Sequence, residues 1–417
     1  MKVGFLGMSH LGQVYSTATA NRGISVIQFD NDADLIDELK RSGPSVAEYG
    51  LNEIWNATTA NRNLTTQLAS LDECDLLFVV SDVTTDEGGT SDLKKVRQLT
   101  ELAISIASSQ CPVVIRSQVP PGFTREYSGR GCQVLYHVET LVFSEAVSRA
   151  TKPDRHIVGV ESRDTPLPQT FQKWLEVFAA PTHVMTFESA ELAKIAINLY
   201  LAATVSTTNS LAELCENLGA EWSQIVPALQ DDPRIGKYAY LKPGLGISGG
   251  NLERDLASFC ALASRYNVND VVMASIIAHS QFRRGMISRL LAKEKTSIER
   301  PIGILGLSYK PGTASIKNSP SIDLIQEHPH HRFIVHDPVV KISRLRNVKQ
   351  VPTMQEVMAS CDILLIMTPW TDYVGELNSH SDWLRNLVSV IDPYAVVSLD
   401  TLRNFVGNYR RLGSSDK

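Results

Sequence analysis

Short apolar runs alternate with longer helix-length segments along this chain, and that alternation limits the folds open to it. In the N-terminal part, apolar runs of strand length occur at Val3–Gly7, Ser25–Asp30, Asp75–Val80, Pro112–Ser117 and His156–Val160. Runs that are apolar on both faces are typical of a parallel sheet covered by helices on both sides. The segments between the runs have room for crossover helices. Residues 1–186 are therefore predicted to form a Rossmann-like, doubly wound α/β domain.

A long helical pattern follows this region. From Ser189 to Gly219 apolar residues recur at three- and four-residue steps, which predicts one helix of about thirty residues. Such a helix usually serves as a spine or a dimer-forming element. We predict a central helical domain over residues 187–298. The strand–helix alternation then resumes with IGILGL, RFIVHD, DILLIM and LVSVID, which predicts a second Rossmann-like parallel-sheet α/β domain over 299–417.

Composition excludes several classes of protein. The 417 residues include 40 Lys and Arg against 45 Asp and Glu, a net charge of −5, so no basic excess exists for binding nucleic acid. Six scattered cysteines lack the close spacing of a metal site and the density of a disulfide scaffold. They indicate a reducing, cytoplasmic compartment and no bound metal. Because no run approaches the roughly 18 apolar residues of a membrane helix, no membrane association is expected.

A glycine loop follows the first apolar run. In GFLGMSHLG, Gly7 and Gly12 occupy the first and third glycine positions of the dinucleotide fingerprint G-x-G-x-x-G, while Ser9 occupies the second. Asp30, at the end of the next run, is placed to accept hydrogen bonds from an adenosine ribose and to repel a 2′-phosphate. The loop alone fits a generic strand-to-helix turn equally well. Together with Asp30 it favours NAD binding.

Several longer segments, in order along nearly the whole chain, resemble the UDP-glucose/GDP-mannose dehydrogenase family. They are SDVTTDEGGTSDL, RSQVPPGFTRE, KPDRHIVGV, AELAKIAINLYLA, DPRIG, PGLGISGGNLERD, GLSYKPGTASIKNSPS, HDP and CDILLIMTPW. The resemblance implies an NAD-dependent oxidoreductase that acts on the primary alcohol of a nucleotide sugar in polysaccharide biosynthesis. The PDR segment resembles the UDP-glucose branch. A UDP-sugar substrate and a homodimer formed through the central helix are therefore expected.

The resemblance also implies a set of catalytic residues. Lys194 and Asn198 lie four residues apart on the predicted long helix, so they share one face. In the family this Lys and Asn lie beside the reacting carbon, where they can stabilise a developing oxyanion and hold a water. Asp255 matches a carboxylate that serves as a plausible general base. Taken in isolation, Lys194 fits a solvated helix charge and Asp255 fits a helix cap.

A further acid is implied by the FSEA segment. Glu145 resembles the second Glu of the family's EFLxEG segment. The first Glu of that segment then falls at Leu141 by direct count, or at Glu139 if a gap is allowed.

Cofactor and substrate contacts are carried over in the same way. The expected cofactor-binding residues are Gly7, Ser9, His10, Leu11, Gly12, Asp30, Thr84, Gln118 and Lys317. The expected substrate-binding residues are Arg234, Tyr238, Gly244, Gly246, Gly249, Gly250, Tyr309 and Lys310.

One departure from the family bears on the chemistry. The family's glycine loop ends G-G-S-C-x-P-K-D, and its Cys traps the aldehyde as a thiohemiacetal before a second hydride transfer. Counting back from Asp255 puts Asn251 at the Cys position, and aligning on Gly249 and Gly250 puts Leu252 there. Asn is not a nucleophile under these conditions.

Three interpretations follow from the lost nucleophile. The first is a nucleotide-sugar dehydrogenase, UDP-glucose 6-dehydrogenase-like, that stops at the aldehyde or oxidises its hydrate slowly. The second is a dehydrogenase of a different nucleotide-linked alcohol. The third is a non-catalytic protein that binds NAD and a nucleotide sugar. The first two are preferred because Gly7, Gly12, Asp30, Lys194, Asn198 and Asp255 are all present.

Overall fold

Two compact units make up the chain, residues 1–197 and residues 198–417. The structure, a computed structural model, describes residues 1–84, 91–294, 300–342 and 345–415. The predicted domain boundaries after residues 186 and 298 stay predictions, and the second of them falls at residues outside these ranges.

The first unit is built on an eight-stranded sheet of order β3-β2-β1-β4-β5-β6-β7-β8. The strands are β1 (Lys2–Leu6), β2 (Ser25–Phe29), β3 (Arg62–Thr65), β4 (Leu76–Val79), β5 (Val113–Ile115), β6 (Val134–His137), β7 (His156–Val160) and β8 (Thr182–Thr186). The helices are α1 (His10–Ala20), α2 (Ala33–Ser42), α3 (Leu51–Ala57), α4 (Lys94–Ile106), α5 (Ala146–Thr151) and α6 (Gln169–Phe178). The strand order reverses between β1 and β4, the place where open α/β sheets bind ligands.

Apolar cores cover both faces of this sheet, as the unbroken apolar runs predict. Phe5 of β1 stacks on Phe78 of β4 at 5.0 Å between ring centres on one face. The next residues along the same two strands, Leu6 and Val79, belong to the core on the other face. The doubly wound α/β prediction is confirmed for this unit.

One strand pair differs from the all-parallel prediction. β6 and β7 pair antiparallel, with Tyr136 opposite Gly159, whereas every other pair in the sheet is parallel. The segment that joins β6 to β7 contains only the six-residue helix α5. A parallel crossover carries the chain back to the end of the sheet where the first strand began. This short connection does not, so β7 runs back alongside β6 in the opposite direction.

The long helix is confirmed. α7 (Phe187–Leu218) has 32 residues and crosses the division between the two units. It ends at Gly219, whose φ of +73° is the left-handed conformation typical of a residue that terminates a helix.

The second unit continues with helices and then a second sheet. The helices α8 (Trp222–Asp231), α9 (Asn251–Arg265), α10 (Val271–Arg284) and α11 (Met286–Leu291) precede six strands of order β11-β10-β9-β12-β13-β14, all parallel. These strands are β9 (Ile302–Leu305), β10 (Phe333–His336), β11 (Val348–Gln350), β12 (Ile363–Ile366), β13 (Ser389–Ile391) and β14 (Asn408–Arg410). The helices among them are α12 (Pro320–Glu327), α13 (Met354–Ser360) and α14 (Thr371–Ser379). The second predicted α/β domain is confirmed as a parallel sheet with its own helices.

No helix within the described ranges is long and apolar enough to cross a membrane.

A buried carboxylate holds two turns at the carboxyl ends of the strands of the second sheet. Asp337 follows β10 and is 1% exposed. It accepts hydrogen bonds from the backbone N–H groups of Leu307 (2.7 Å), Ser308 (3.2 Å), Val339 (2.9 Å) and Val340 (2.7 Å). Two turns therefore depend on one side chain.

Replacing this carboxylate tests that dependence. We expect Asp337→Ala to lower the free energy of unfolding by about 3 kcal/mol, because buried N–H groups lose their acceptor. The matched control is Asp400→Ala, since Asp400 is an 82% exposed side chain paired with Arg403 on the surface. Urea unfolding measures both variants. Equal stability of the two variants would contradict the structural role of Asp337.

Candidate active site

The glycine loop after β1 makes a turn that only glycine fits at two positions. Gly7 has φ of +104°, and a Cβ atom there would lie 2.2 Å from the carbonyl oxygen of Val80. A Cβ atom on Gly12 would lie 1.8 Å from the carbonyl oxygen of Gly7. Ser9 has φ of −67°, which any L-residue adopts, and its hydroxyl accepts a hydrogen bond from the backbone N–H of Asp82 at 3.0 Å. The serine in the fingerprint therefore introduces no backbone strain.

Asp30 lies at the end of β2 and faces this loop. Its Oδ2 accepts the backbone N–H of Met8 at 2.7 Å and lies 3.3 Å from Nζ of Lys95. The carboxylate is fully buried, whereas the Lys95 side chain is about half exposed. The close-approach loop and this carboxylate fit an NAD adenosine, provided that Lys95 moves aside for the ribose hydroxyls.

The other predicted cofactor residues of the first unit lie at the start of α1 or on the segments that follow β4 and β5. Leu11 is buried in α1, and Nε2 of His10 lies 2.8 Å from Oε1 of Glu48. Thr84 is exposed and Gln118 is half-buried. The DEGGT part of the SDVTTDEGGTSDL segment falls within residues 85–90, outside the described residues.

Lys194 forms an ion pair that the direct count along the sequence did not predict. Its Nζ lies 3.2 Å from Oε2 of Glu139, and both side chains are nearly buried. The other Glu139 oxygen accepts the backbone N–H of Leu141. Lys194 is therefore not a solvated helix charge.

Glu145 is placed elsewhere. It precedes α5 on the surface and pairs with Arg149 at 3.1 Å, so the structure does not bring it to Lys194. Ser144 has φ of +73°, the left-handed conformation that favours glycine. An alignment with Ser144 at the Gly position of the EFLxEG segment puts Glu139 at the first Glu with no gap and Phe143 at the second. The alignment on Glu145 stays a prediction.

Asn198 and Asp255 meet inside the second unit. Nδ2 of Asn198 donates to Oδ2 of Asp255 at 2.5 Å, and Nε of Arg254 donates to Oδ1 at 3.2 Å. Asp255 is 1% exposed. Since α9 already begins at Asn251, Asp255 lies inside the helix and is not its cap. The carboxylate is held by an amide and a guanidinium.

Asn251, which the count back from Asp255 aligns with the family Cys, is the first residue of α9 and is exposed. It lies one helical turn before Asp255. The preceding Gly249 has φ of +89°, and a Cβ atom there would lie 2.8 Å from the ring of Tyr309. Nδ2 of Asn318 donates to the Gly249 carbonyl oxygen at 2.9 Å. The end of the glycine loop is therefore packed closely against the segment that follows β9.

The rest of this loop is anchored by polar side chains of the second unit. The Gly244 N–H donates to Oδ1 of Asn209 at 2.7 Å. A Cβ atom on Gly246 would lie 2.7 Å from the Ser280 carbonyl oxygen. Glu253, which replaces the family's Pro, pairs with Arg284 and accepts a hydrogen bond from Asn318. These contacts hold the loop in place within the second unit.

The remaining predicted substrate and cofactor residues lie toward solvent. Arg234 pairs with Asp232 at 2.6 Å, and Tyr238 is 95% exposed. Lys310 extends over the half-buried Tyr309 ring, with its Nζ 5.8 Å from the ring centre. Lys317 is exposed, and its side chain passes 3.4 Å from the position of a Cβ atom on Gly250.

None of the six thiols is activated. Five of the cysteines are buried and Cys260 is partly buried in α9. Burial raises the pKa of every one of these thiols, that of Cys111 to about 11 and those of Cys74 and Cys361 to about 12. Because the thiolate is the reactive form, each thiol is held in its unreactive state at neutral pH. Cys260 also lies five residues beyond Asp255, about 140° around the helix.

Comparison with known proteins identifies the family over most of the chain. Residues 1–178 match the NAD-binding domain of the UDP-glucose/GDP-mannose dehydrogenase family, residues 188–280 its central domain and residues 303–398 its UDP-binding domain. The chain is 28% identical to a UDP-glucose 6-dehydrogenase of Rickettsia typhi, covering 99% of this chain and 100% of that protein. It is 25% identical to the UDP-glucose 6-dehydrogenase AglM of Haloferax volcanii, covering 95% and 97%.

Solved structures show the same fold. A UDP-glucose dehydrogenase from Pyrobaculum islandicum superposes with a TM-score of 0.83 at 23% identity, covering 98% of this chain and 96% of that one. A UDP-D-ManNAc dehydrogenase from Pyrococcus horikoshii superposes with a TM-score of 0.84 at 18% identity over the whole of both chains. The protein belongs to the UDP-glucose/GDP-mannose dehydrogenase family, and its cofactor is NAD.

Proposed function

We propose that this protein oxidises the primary alcohol of a UDP-sugar, UDP-glucose first among the candidates, and releases the aldehyde. Curated relatives named UDP-glucose 6-dehydrogenase align with nearly its full length, which supports the substrate. The observation that carries the proposal is the Lys194–Glu139 ion pair together with the absence of a thiol at positions 251 and 252.

Lys194 and Glu139 are suited to the first oxidation. The ammonium group holds the substrate oxygen and stabilises the negative charge that develops there. Glu139, 3.2 Å from Nζ of Lys194, accepts the proton that leaves the alcohol. Bound NAD would supply the acceptor for the hydride that leaves the alcohol carbon. None of these steps requires a thiol.

Asp255 is assigned an orienting role here. Its carboxylate takes one N–H of the Asn198 amide and the Nε–H of Arg254, so it fixes the amide. Lys194 and Asn198 lie one turn apart on α7, so both project from one side of that helix. Asn198 is therefore proposed to bind the substrate or a water with the remaining polar atoms of its amide.

The second oxidation of the family requires a covalent step that this chain lacks. A thiohemiacetal forms when a thiolate attacks the aldehyde, and Asn251 has no atom that performs this attack. The aldehyde can then only leave, or be hydrated and oxidised slowly. A glycine loop that is already held by Glu253, Arg284 and Asn318 is consistent with a binding role for this segment.

A second copy of the chain is proposed to cover one face of α7. Tyr200, Leu211, Leu214 and Leu218 are exposed, and their spacing of 11, 3 and 4 residues puts them on one side of the helix. Exposed apolar stripes of this kind mark interaction sites. The expected homodimer through the central helix would bury them.

The yield of NADH per sugar tests the proposed reaction. Purified protein mixed with excess NAD and limiting UDP-glucose should form one NADH per sugar, and a hydrazine should trap an aldehyde. Two NADH per sugar would contradict the proposal. Binding of NAD and UDP-glucose without any NADH would favour the non-catalytic interpretation, and turnover of another nucleotide-linked alcohol alone would favour the different substrate.

Restoring a thiol provides the matched control. Asn251→Cys should raise the yield toward two NADH per sugar, because the thiol then stands one turn before Asp255 on α9. Leu252→Cys adds the same group at the neighbouring position and should leave the yield at one. A yield near two NADH for Leu252→Cys and near one for Asn251→Cys would instead assign the family Cys position to residue 252.

Asp30 is expected to contribute to NAD affinity. Asp30→Ala removes the acceptor for the ribose hydroxyls, so the Kd for NAD should rise at least about tenfold, equivalent to roughly 1.4 kcal/mol. Asp34→Ala is the control, since Asp34 is exposed in the first turn of α2. Titration calorimetry measures both, with thermal melting to check folding. A Kd for Asp30→Ala within twofold of wild type would contradict this role.

A charged substitution on the exposed face of α7 tests the proposed dimer. Leu214→Glu should convert a sedimenting dimer into a monomer, because burying a carboxylate among apolar side chains is unfavourable. Leu399→Glu makes the same change at an exposed leucine away from α7 and should leave the dimer intact. A wild-type monomer at micromolar concentration would contradict the proposal.

A further inference from the structure

Arg116 is a buried cation that no role described above explains. It follows β5 at the carboxyl edge of the first sheet and is 3% exposed. Its guanidinium carbon lies 3.4 Å from the centre of the Tyr15 ring and 5.4 Å from that of Trp174. Within the described part of the chain, its Nε and Nη1 have no hydrogen-bond partner. The two aromatic rings therefore provide much of the stabilisation that this positive charge receives.

Such an arrangement works against stability. Buried N–H groups without an acceptor destabilise the folded state, and a buried charge does so more strongly. Burial lowers the pKa of Arg116 itself. Burial and then the Arg116 charge lower the pKa of His156 to about 4 and that of His137 well below its usual range. A stability role does not account for an arginine at this position.

Tyr15 connects Arg116 to the proposed catalytic pair. The Tyr15 hydroxyl accepts the backbone N–H of Thr140 at 3.3 Å. Thr140 directly follows Glu139, whose carboxylate pairs with Lys194. The ring against which Arg116 packs therefore holds the backbone that carries Glu139. The negative charge of Glu139 also acts on Arg116.

We propose that Arg116 is a positioning residue for Glu139: it fixes the Tyr15 ring, whose hydroxyl holds the backbone of Thr140 next to Glu139. The inference rests on the proposed function, in which Glu139 accepts the substrate proton. It assigns Arg116 no contact with substrate or cofactor.

A matched pair of substitutions separates positioning from stability. Arg116→Met removes the charge and keeps much of the packing. Arg62→Met does the same to a second arginine of the first unit, whose guanidinium carbon lies 3.8 Å from the Trp55 ring centre. The Arg62 nitrogens, however, donate to Thr58, Gln28 and the Trp55 carbonyl. Arg62→Met should lower the Tm, whereas Arg116→Met should leave the Tm unchanged or raise it.

The hydrogen-exchange rate of the Thr140 amide measures the positioning effect without requiring enzyme turnover. The Thr140 amide should exchange at least tenfold faster in Arg116→Met and at the wild-type rate in Arg62→Met. Tyr15→Phe, which removes only the hydroxyl, should also accelerate this exchange and serves if Arg116→Met fails to fold. Wild-type exchange at Thr140 in Arg116→Met, or in Tyr15→Phe if the methionine variant fails to fold, would overturn the proposal.

Kinetics supply the second readout. Arg116→Met should lower kcat at least tenfold with KM for the sugar and Kd for NAD unchanged, and Arg116→Lys should recover part of the loss. An unchanged kcat would overturn the positioning role. If the wild type itself makes no NADH, the proposed function fails, and the exchange and melting results still decide whether Arg116 orders the Glu139 segment.

Discussion

A buried carboxylate at the end of the second strand fixes the ligand edge of each sheet. Asp30 accepts the Met8 N–H and Asp337 accepts the Leu307 N–H, both at 2.7 Å, in the turn that follows the first strand of the sheet. The same interaction thus occurs once in each unit. It holds the turn in the tight conformation that presents backbone amides to a nucleotide at the carboxyl edge of a parallel sheet.

The chemistry of the site follows from which parts of the family pattern this chain retains. The charge pair Lys194–Glu139 and the buried Asn198–Asp255 contact are present, and in the proposed reaction Lys194 and Glu139 act on the developing charge and the proton. Covalent capture of an aldehyde needs a thiolate, and burial raises the pKa of every thiol here. These features support the proposed single hydride transfer.

Much of the fold could be predicted because its central strands are unbroken apolar runs and α7 has a clear helical period. The strands that sequence reasoning missed are short, and several carry polar residues. β8 is largely exposed at one edge of its sheet, β3 is partly buried at the other edge, and β11 and β14 have three residues each. The other missed strand, β6, is a buried strand of only four residues inside the sheet. Edge strands bury little surface, so their sequences carry little apolar signal.

The site was less predictable, since contacts between distant residues decide it. Lys194, Asn198 and Asp255 could be named from the resemblance, but the choice between Glu139 and Glu145 depended on the left-handed backbone of Ser144. Sequence spacing alone favoured Glu145 because the count was anchored on that acid. The resemblance included Arg116 at the start of RSQVPPGFTRE but gave it no role, since the proposed role rests on a ring from α1 and an amide that follows β6.

The identity of the released product tests the central claim most directly. UDP-glucose labelled with ¹³C at the sugar C6 and followed by NMR during turnover with excess NAD reports the oxidation state of that carbon. The account predicts that the label accumulates as an aldehyde and its hydrate while NADH forms in equal amount. Accumulation of a labelled carboxylate with two NADH formed for each carboxylate, and with no aldehyde, would contradict it.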